Sequence, residues 1–276
     1  MKSLTKIDDK KIVTNKTFIV FIEKITREKM IQLKDFTKFY GDLKALDKVS
    51  LTFKDNSITG ILGLNGAGKT TLLKALTGRH FASEGEVLFF LEGEESFNAT
   101  DFPTRVRQIT GFVQENATFI NESQYTVQEY LSFVASIHSC PKKNVLKTLE
   151  QCSLLEVKNQ KIKNLSKGFR ERVNFAQALV YEPKILVLDE PASGLDPNQI
   201  ANMRSLVKDL GKNHTIVLST HLMQEAQALC QNIVILDKGK FLIQGTIEEI
   251  CLKTGAKNLE EAFFSLTKTE QGIQYE

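Results

Sequence analysis

The segment GLNGAGKTT, residues 63–71, contains glycines, a lysine and two threonines at the spacing G-x-x-x-x-G-K-[ST]. Glycines let backbone N–H groups surround a phosphate chain, and a helix N-terminus adds positive potential there. Lys69 is expected to reach the terminal phosphates, and the Thr70 hydroxyl is expected to ligate Mg²⁺. The sequence therefore predicts a phosphate-binding loop, whose candidate residues are Gly63, Asn65, Gly66, Gly68, Lys69, Thr70 and Thr71.

A second candidate is the run KILVLDE, residues 184–190, in which four apolar residues precede two acids. Asp189 is suited to coordinate magnesium, and Glu190 is suited to orient or deprotonate an attacking water. A strand that ends in two acids is common by itself. In a chain that also contains a phosphate loop, it favours ATP hydrolysis.

Three single residues are weaker candidates. Gln114 ends the strand GFVQ and could contact magnesium and the attacking water, while His221 follows TIVLST and could reach a γ-phosphate oxygen. Tyr40 offers an aromatic face to an adenine ring. Each also has a common structural explanation: a loop hydrogen bond, a structural histidine and ring packing.

The segment LSKGF, residues 165–169, is typical of a helix start with a serine cap. Gly168 then falls inside the first turn, where glycine costs about 1 kcal/mol relative to alanine. Local structure gives no reason for this glycine.

The elements that must position these residues alternate along the chain. Short β-branched or apolar runs are separated by amphipathic stretches, which predicts a sheet with a parallel core covered by helices. The predicted strands are SITGILGL, GEVLFF, ITGFVQ, KILVLDE, TIVLST and NIVILDKGKFLIQG. The helix after the phosphate loop is expected to end near Gly78.

Only helices are predicted from about residue 115 to residue 183. Thr126 and Glu129 form a capping box before a helix with an apolar face at Val127, Tyr130, Leu131, Val134 and Ile137. A second helix follows Pro141, with apolar positions at Val145, Leu146, Leu149 and Cys152, and a third begins at Ser166. The pattern predicts an all-helical insertion in an α/β domain.

Charge and composition narrow the function classes. The balance of 42% hydrophobic and 25% charged residues is typical of a globular protein. Of the 36 basic and 33 acidic residues, eight basic and four acidic ones lie in residues 1–29, so the rest of the chain has no basic excess and a nucleic-acid partner is not expected.

No segment reaches about 18 uninterrupted apolar residues, so a membrane role would require a partner. The four separated cysteines indicate reduced thiols and no structural zinc.

Residues 1–29 are predicted to be a basic, disordered extension ahead of a domain that spans residues 30–276. The alternative is a membrane-surface or regulatory tail.

The motifs in chain order resemble those of the nucleotide-binding subunit of an ATP-binding cassette (ABC) transporter. They are Tyr40, GLNGAGKTT, Gln114, LSKGF, ILVLDEP, SGLD at 193–196 and His221. The resemblance implies an α/β fold, with a P-loop NTPase core of mixed sheet, an antiparallel β subdomain and an inserted all-helical subdomain.

The resemblance also implies a role for each candidate. Tyr40 would stack on adenine, Gln114 would be the Q-loop glutamine, and His221 would be the switch histidine. Asp189 and Glu190 would be the magnesium-site and catalytic acids, and Asp196 the D-loop aspartate. Ser166 and Gly168 would face the γ-phosphate of ATP held by another subunit, in a head-to-tail homodimer or a dimer with a close paralogue.

The family's usual segment is LSGGQ, so Lys167 and Phe169 are departures. The S-K-G variant and the tail NLEEAFFSLT, residues 258–267, are similar to ATPases of ABC-2 type exporters, which serve drug, polysaccharide, sodium, haem or gliding-motility systems. The expected partner is a membrane permease, with this chain at the cytoplasmic face of the membrane. The alternative is a soluble ABC ATPase of an assembly system without a permease.

Overall fold

The computed structural model describes residues 29–115, 117, 120 and 123–267. All but one residue of the predicted N-terminal extension lie outside the described part, so its disorder remains a prediction. The described strands form one antiparallel sheet and one mixed sheet. They are β1 Lys29–Tyr40, β2 Leu43–Lys54, β3 Ile58–Leu62, β4 Glu84–Phe89, β5 Phe97–Asn98, β6 Thr110–Val113, β7 Ile185–Asp189, β8 Thr215–Thr220, β9 Asn232–Asp237 and β10 Lys240–Gly245.

The antiparallel sheet has the strand order β2-β1-β4-β5. In β2, the buried Val49, Leu51 and Phe53 alternate with residues that are more accessible to solvent. This period of two is expected of a sheet with one buried face.

The mixed sheet has the order β10-β9-β3-β8-β7-β6, and only β10 pairs antiparallel with its neighbour. Every residue of β3, β7 and β8 is buried, because helices or the other sheet cover both faces. The carboxyl ends of β3, β8, β7 and β6 lie at one edge. The phosphate loop, His221 and Gln114 directly follow the ends of β3, β8 and β6, and the two acids lie at the end of β7, Asp189 as its last residue and Glu190 directly after it.

The helices pack in three groups. They are α1 Lys69–Leu76, α2 Pro103–Ile109, α3 Val127–Ile137, α4 Lys143–Gln151, α5 Lys167–Leu179, α6 Pro197–Leu210, α7 Met223–Leu229, α8 Ile247–Thr254 and α9 Leu259–Thr267. Helix α1 lies between the two sheets, where Leu72 and Leu73 share a core with Phe53 and Val187. Helices α3 to α6 contribute to a second core on the mixed sheet, and α7 to α9 contribute to a third.

Two apolar residues of the helical region stay exposed. Thr126 and Glu129 do form the capping box of α3, and Val127, Tyr130 and Leu131 are buried. Ile137, however, is 64% exposed, and Leu146 on α4 is also exposed. Both residues fit the apolar spacing of their helices, but the rest of the domain does not cover them. The apolar pattern with a period of 3.6 residues is therefore wider than the buried face of each helix.

The predicted fold class is confirmed: the chain is α/β, with a mixed sheet, an antiparallel sheet and helices between β6 and β7. The boundaries of the helical insertion stay a prediction. The four cysteines form no disulfide. Across the described part of the chain, no helix has the length and apolar character needed to cross a membrane.

Candidate active site

The phosphate loop connects β3 to α1 through a backbone that requires glycine. Gly68 caps α1 with a φ of 100°, in the left-handed region. A Cβ atom at Gly68 would lie 2.6 Å from Leu46 Cδ2 and 2.8 Å from the Ala45 carbonyl oxygen, closer than packing allows. Gly66 has a φ of 83° with open space around it. Glycine is therefore required at Gly68 by close packing as well as by φ, and at Gly66 by the positive φ alone.

A cleft of about 660 Å³ lies above the loop. Most of the predicted ATP-binding residues line it: Tyr40, Asn65, Gly66, Gly68, Lys69, Thr70, Thr71, Glu190 and His221. Leu43, Lys44, Glu115, Lys238 and Gly239 complete much of the lining, and the sequence motifs had identified none of them. Gly63 does not line the cleft, but its carbonyl accepts a hydrogen bond from Lys69.

Lys69 is buried at the base of this cleft, with 6% of its side chain exposed. Its Nζ donates to the Gly63 carbonyl at 2.8 Å and lies 3.3 Å from Glu190 Oε1. A buried ammonium needs such partners because desolvation of an unpaired charge is costly. The ammonium is therefore fixed at the N-terminus of α1, where phosphate groups bind.

Asp189 ends β7 beneath the phosphate loop. Its Oδ1 accepts hydrogen bonds from Ser219 Oγ at 2.7 Å and from Thr70 Oγ1 at 3.4 Å. Burial raises the pKa of the Asp189 carboxyl, and these two hydrogen bonds act in the opposite direction. The motifs had not identified Ser219, which is paired with Asp189 in the register of β7 and β8.

Glu190 occupies a left-handed conformation with a φ of 47°, which is uncommon for a residue other than glycine. Its backbone N–H donates to Ser219 Oγ at 3.0 Å, and its Oε2 lies 2.9 Å from His221 Nδ1. Ser219 thus positions both predicted acids: it binds the side chain of Asp189 and the backbone of Glu190. Its position two residues before His221 on a strand was the available sequence signal.

Tyr40 lies at the other end of the cleft, at the end of β1. Its hydroxyl is hydrogen-bonded to His80 Nδ1, and the rings meet edge to face at 5.5 Å between centroids. Burial, followed by the charges of Lys74 and Lys38, lowers the pKa of His80. This shift favours the neutral imidazole, which can accept a hydrogen bond from the Tyr40 hydroxyl and hold the tyrosine ring at the cleft.

Gln114 follows β6, and its exposed side chain is not part of the cleft lining in this conformation. Its backbone carbonyl accepts a 2.9 Å hydrogen bond from Asn174 Nδ2 on α5. The neighbouring Glu115 lines the cleft instead. The role of Gln114 as magnesium and water ligand therefore stays a prediction.

Ser166, Gly168 and Asp196 also lie outside the lining of this cleft. Ser166 caps α5 by accepting a hydrogen bond from the Phe169 N–H at 3.4 Å, and Asp196 caps α6 in a capping box with Gln199. Ser166 and Gly168 line a separate cavity of about 390 Å³ between α5 and α6. The chain therefore keeps its phosphate loop and its LSKGF segment apart.

The oxygen atoms of Thr70 and Asp189 fit Mg²⁺, which takes hard oxygen ligands and commonly binds through one or two carboxylates plus phosphates. Among the described residues, no group of three or more His, Cys, Asp or Glu side chains is arranged to hold a metal. Phosphate oxygens, waters and further protein oxygens could supply the other ligands of a magnesium ion at Thr70 and Asp189.

Residues 46–193, more than half of the chain, match the model of the ABC transporter family. The chain belongs to this family, as an ATP-binding domain. It is an ATPase that binds ATP. The prediction of family and enzyme class is confirmed.

Several curated ABC proteins are similar to this chain. The ATP-binding protein NatA of Bacillus subtilis (strain 168) is 29% identical over 88% of this chain and 100% of NatA. The bacitracin transport ATP-binding protein BcrA of Bacillus licheniformis is 35% identical over 77% of this chain and 68% of BcrA. A protein named for import also matches: the methionine import ATP-binding protein MetN of Clostridioides difficile (strain 630) is 34% identical over 81% of this chain and 71% of MetN.

Solved ABC structures have the same fold. The ATP-binding subunit of an ABC transporter superimposes with a TM-score of 0.76 at 25% identity, over 86% of this chain and 99% of the solved one. A dimeric bacterial ABC transporter cassette superimposes with a TM-score of 0.67 at 27% identity, over 79% and 98% of the respective chains.

Proposed function

We propose that this ABC ATPase hydrolyses ATP through the residues around Lys69 and Glu190 and powers a separate membrane permease, one of the ABC-2 exporter type. The single observation that supports the catalytic assignment is the chain of contacts from Lys69 through Glu190 to His221. It places a cation, a carboxylate and an imidazole along one wall of the cleft. The domain boundaries at residues 30–276 belong to this proposal.

ATP would bind with its phosphates in the loop of residues 63–71 and its adenine against Tyr40. Lys69 offsets the negative charge of the β- and γ-phosphates. Glu190 accepts a proton from the water that attacks the γ-phosphorus, while the bond from that phosphorus to the bridging oxygen breaks, which yields ADP and phosphate. His221 steadies Glu190 Oε2 through the 2.9 Å contact and reaches the γ-phosphate.

Mg²⁺ would be held by Thr70 and Asp189, with Gln114 completing the site after movement of its loop. When bound, the ion supplies positive charge that offsets the charge on the transferred phosphoryl group. Ser219 holds Asp189 Oδ1 at 2.7 Å and thereby fixes the direction in which the carboxylate presents its oxygens.

The second half of each ATP site would come from another copy or a close paralogue. Ser166 and Gly168 lie at the N-terminus of α5 and outside the cleft of their own chain, and a similar cassette has been solved as a dimer. An ATP molecule between a phosphate loop and a partner's LSKGF segment would link two chains until hydrolysis removes it.

The helical region supplies a surface for the permease. Ile137 and Phe133 on α3 and the neighbouring Tyr125 are exposed, and the Tyr125 and Phe133 rings are stacked. Exposed apolar side chains that lie together are typical of a protein interface. The exporter class is supported by the S-K-G variant and by the relative named for bacitracin transport. This chain would lie at the cytoplasmic face of the membrane.

The permease proposal is tested by searching the neighbouring reading frames for a polytopic membrane protein, co-expressing the full chain with it and purifying from detergent. Ile137→Glu should abolish co-purification and leave ATP hydrolysis by the isolated chain unchanged. Leu252→Glu, at an 83% exposed leucine on α8, is the matched control and should co-purify as wild type does. If the chain instead associates with a soluble scaffold and with no membrane protein, the alternative of a soluble assembly ATPase replaces the exporter.

A further inference from the structure

Lys167 distinguishes LSKGF from the family's usual LSGGQ, and the structure gives its side chain two acceptors. Lys167 Nζ donates to the Gly194 carbonyl at 2.6 Å and to the Ser193 carbonyl at 3.2 Å. Both carbonyls belong to the loop that runs from Glu190 to the cap of α6. The first turn of α5 is therefore attached to that loop within one chain.

The position of Lys167 is unfavourable for the helix itself. Lys167 is the first residue of α5, where the helix dipole repels a positive charge. The two carbonyls offset this cost because hydrogen bonds from an ionised donor are stronger than neutral ones. A contribution to helix stability therefore does not explain the lysine, whereas attachment of the loop does.

The loop is shaped to receive the lysine. Gly194 has a φ of +65°, and a Cβ atom there would lie 2.1 Å from Lys167 Nζ. The Lys167 ammonium thus lies close over the Gly194 backbone, and the left-handed φ of Gly194 favours glycine at this position.

A second contact joins the same two segments. The side chain of Gln199, which forms the capping box with Asp196, lies over Gly168: a Cβ atom at Gly168 would be 3.0 Å from Gln199 Nε2. The loop is further ordered by a hydrogen bond from the Ser193 N–H to the Glu190 carbonyl at 3.0 Å. A continuous series of contacts thus connects Ser166 and Gly168 to Glu190.

We propose that Lys167 is a positioning residue that holds the loop of residues 190–196 against the first turn of α5 and so links the two ATP sites of the dimer. In each chain, Glu190 acts on the chain's own ATP, while Ser166 and Gly168 contact the partner's ATP. Closure on one ATP moves the first turn of α5, and Lys167 transmits that movement to the loop beside Glu190. This coupling rests on the proposed dimer, whereas the attachment itself does not.

The attachment is tested by hydrogen exchange on the nucleotide-free, full-length chain. Lys167→Met keeps the length of the side chain and removes its donors, so the Ser193 and Leu195 amides should exchange about tenfold faster, as expected for loss of charge-assisted hydrogen bonds. Lys167→Arg keeps donors and should stay close to wild type. Lys163→Met, at an exposed lysine one turn earlier, is the matched control. If the Ser193 and Leu195 amides exchange at the same rate in Lys167→Met as in Lys163→Met, the proposed attachment is overturned.

The coupling is tested by the dependence of ATP hydrolysis on ATP concentration. Wild type, Lys167→Arg and Lys163→Met should give a Hill coefficient above 1, and Lys167→Met should give a value near 1 with nucleotide affinity of the monomer unchanged. The coupling is overturned if Lys167→Met has the same Hill coefficient as the wild-type protein. It is also overturned if the wild-type protein itself has a Hill coefficient of 1. Wild-type chain that forms no ATP-dependent dimer contradicts the proposed dimer instead, and hydrogen exchange still decides the attachment.

Discussion

Lys69 Nζ lies 3.3 Å from Glu190 Oε1 at the base of the cleft over the phosphate loop, with 6% and 10% of the two side chains exposed. The cation of the phosphate loop and the proposed catalytic carboxylate therefore neutralise each other. Phosphate groups that enter the loop compete with Glu190 for Lys69. In the proposed mechanism, the competition lets binding of ATP release the carboxylate to act on water.

Glu190→Gln should bind ATP at least as tightly as wild type and hydrolyse it at least about 100-fold more slowly. The amide removes the negative charge that competes for Lys69, and it cannot accept the proton of water. Phosphate release and size-exclusion chromatography with ATP should therefore reveal a slow enzyme that accumulates as a dimer. Glu92→Gln, at an exposed loop glutamate, should behave as wild type. Normal hydrolysis by Glu190→Gln would remove Glu190 from its catalytic role.

Asp189→Asn should abolish magnesium-dependent hydrolysis and raise the stability of the nucleotide-free chain at pH 8. Burial is the largest cause that raises the pKa of Asp189, and the charges of Glu115 and Glu190 act in the same direction. Between about pH 3.9, the ordinary Asp value, and that raised pKa, the folded chain binds more protons than the unfolded one. The free energy of unfolding contributed by Asp189 therefore falls as pH rises through this window.

Urea denaturation from pH 4, close to the ordinary Asp value, up to pH 8 provides the measurement. The stability advantage of Asp189→Asn over wild type should be largest at pH 8 and should narrow as the pH falls. Asp42→Asn, at an exposed aspartate, is the control for loss of a carboxylate. A difference between Asp189→Asn and wild type that stays constant across this range would contradict the assigned effect of burial.

Ser219→Ala should slow hydrolysis and raise the magnesium concentration required for half-maximal activity. The serine hydroxyl accepts from the Glu190 N–H and donates to Asp189 Oδ1, so its removal leaves both acids less well positioned. We expect a loss of about 1–3 kcal/mol of stability because the group is buried. Ser136→Ala, on the exposed face of α3, is the control. Wild-type magnesium dependence in Ser219→Ala would exclude the positioning role.

Arg204→Met should destabilise the fold much more than Lys212→Met. Arg204 forms two hydrogen bonds, at 3.0 and 2.6 Å, with Glu225, whose side chain is only 5% exposed, and thereby joins α6 to α7. Loss of one partner of a buried pair costs about 3–5 kcal/mol, and the lower part of that range applies here because Arg204 is itself 34% exposed. The Lys212–Asp209 pair is exposed, so its loss should cost at most about 1 kcal/mol.

Chemical denaturation of the single variants and of the double variant Arg204→Met/Glu225→Leu would separate the contributions. The double variant should recover stability relative to Arg204→Met, since no buried carboxylate remains without its partner. Equal effects of Arg204→Met and Lys212→Met would contradict the role of burial.

Gly168→Asp should leave ATP binding to the monomer intact and abolish the ATP-dependent dimer. The new carboxylate would face the partner's γ-phosphate and repel it, while in its own chain the nearest atoms to its Cβ are those of the Gln199 side chain. Ser166→Arg should have the same effect through its bulk. Nucleotide titration of the monomer and light scattering of Glu190→Gln with and without Gly168→Asp would measure both quantities. An intact dimer in the double variant would contradict the trans contact.

Much of the site followed from local sequence. Three motifs lie at the carboxyl ends of neighbouring parallel strands. They are the loop GLNGAGKTT, the acids after ILVL and the histidine after TIVLST. Chain order and the carboxyl-edge rule are enough to bring such residues together. Gln114 also follows a strand, but its side chain is exposed and lies outside the cleft lining, which the neighbouring Glu115 joins instead.

The sequence by itself determined the family, the fold class and the motif residues, because each depends on short segments whose chemistry is complete within a few neighbours. Only the tertiary structure decided which atoms meet across distant elements. It paired Ser219 with Asp189 through strand register, exposed Ile137 where the domain surface ends, and brought Lys167 to carbonyls 26 and 27 residues away. Such contacts depend on the packing of α5 against the loop before α6, and no local pattern encodes the distance between two separately formed elements.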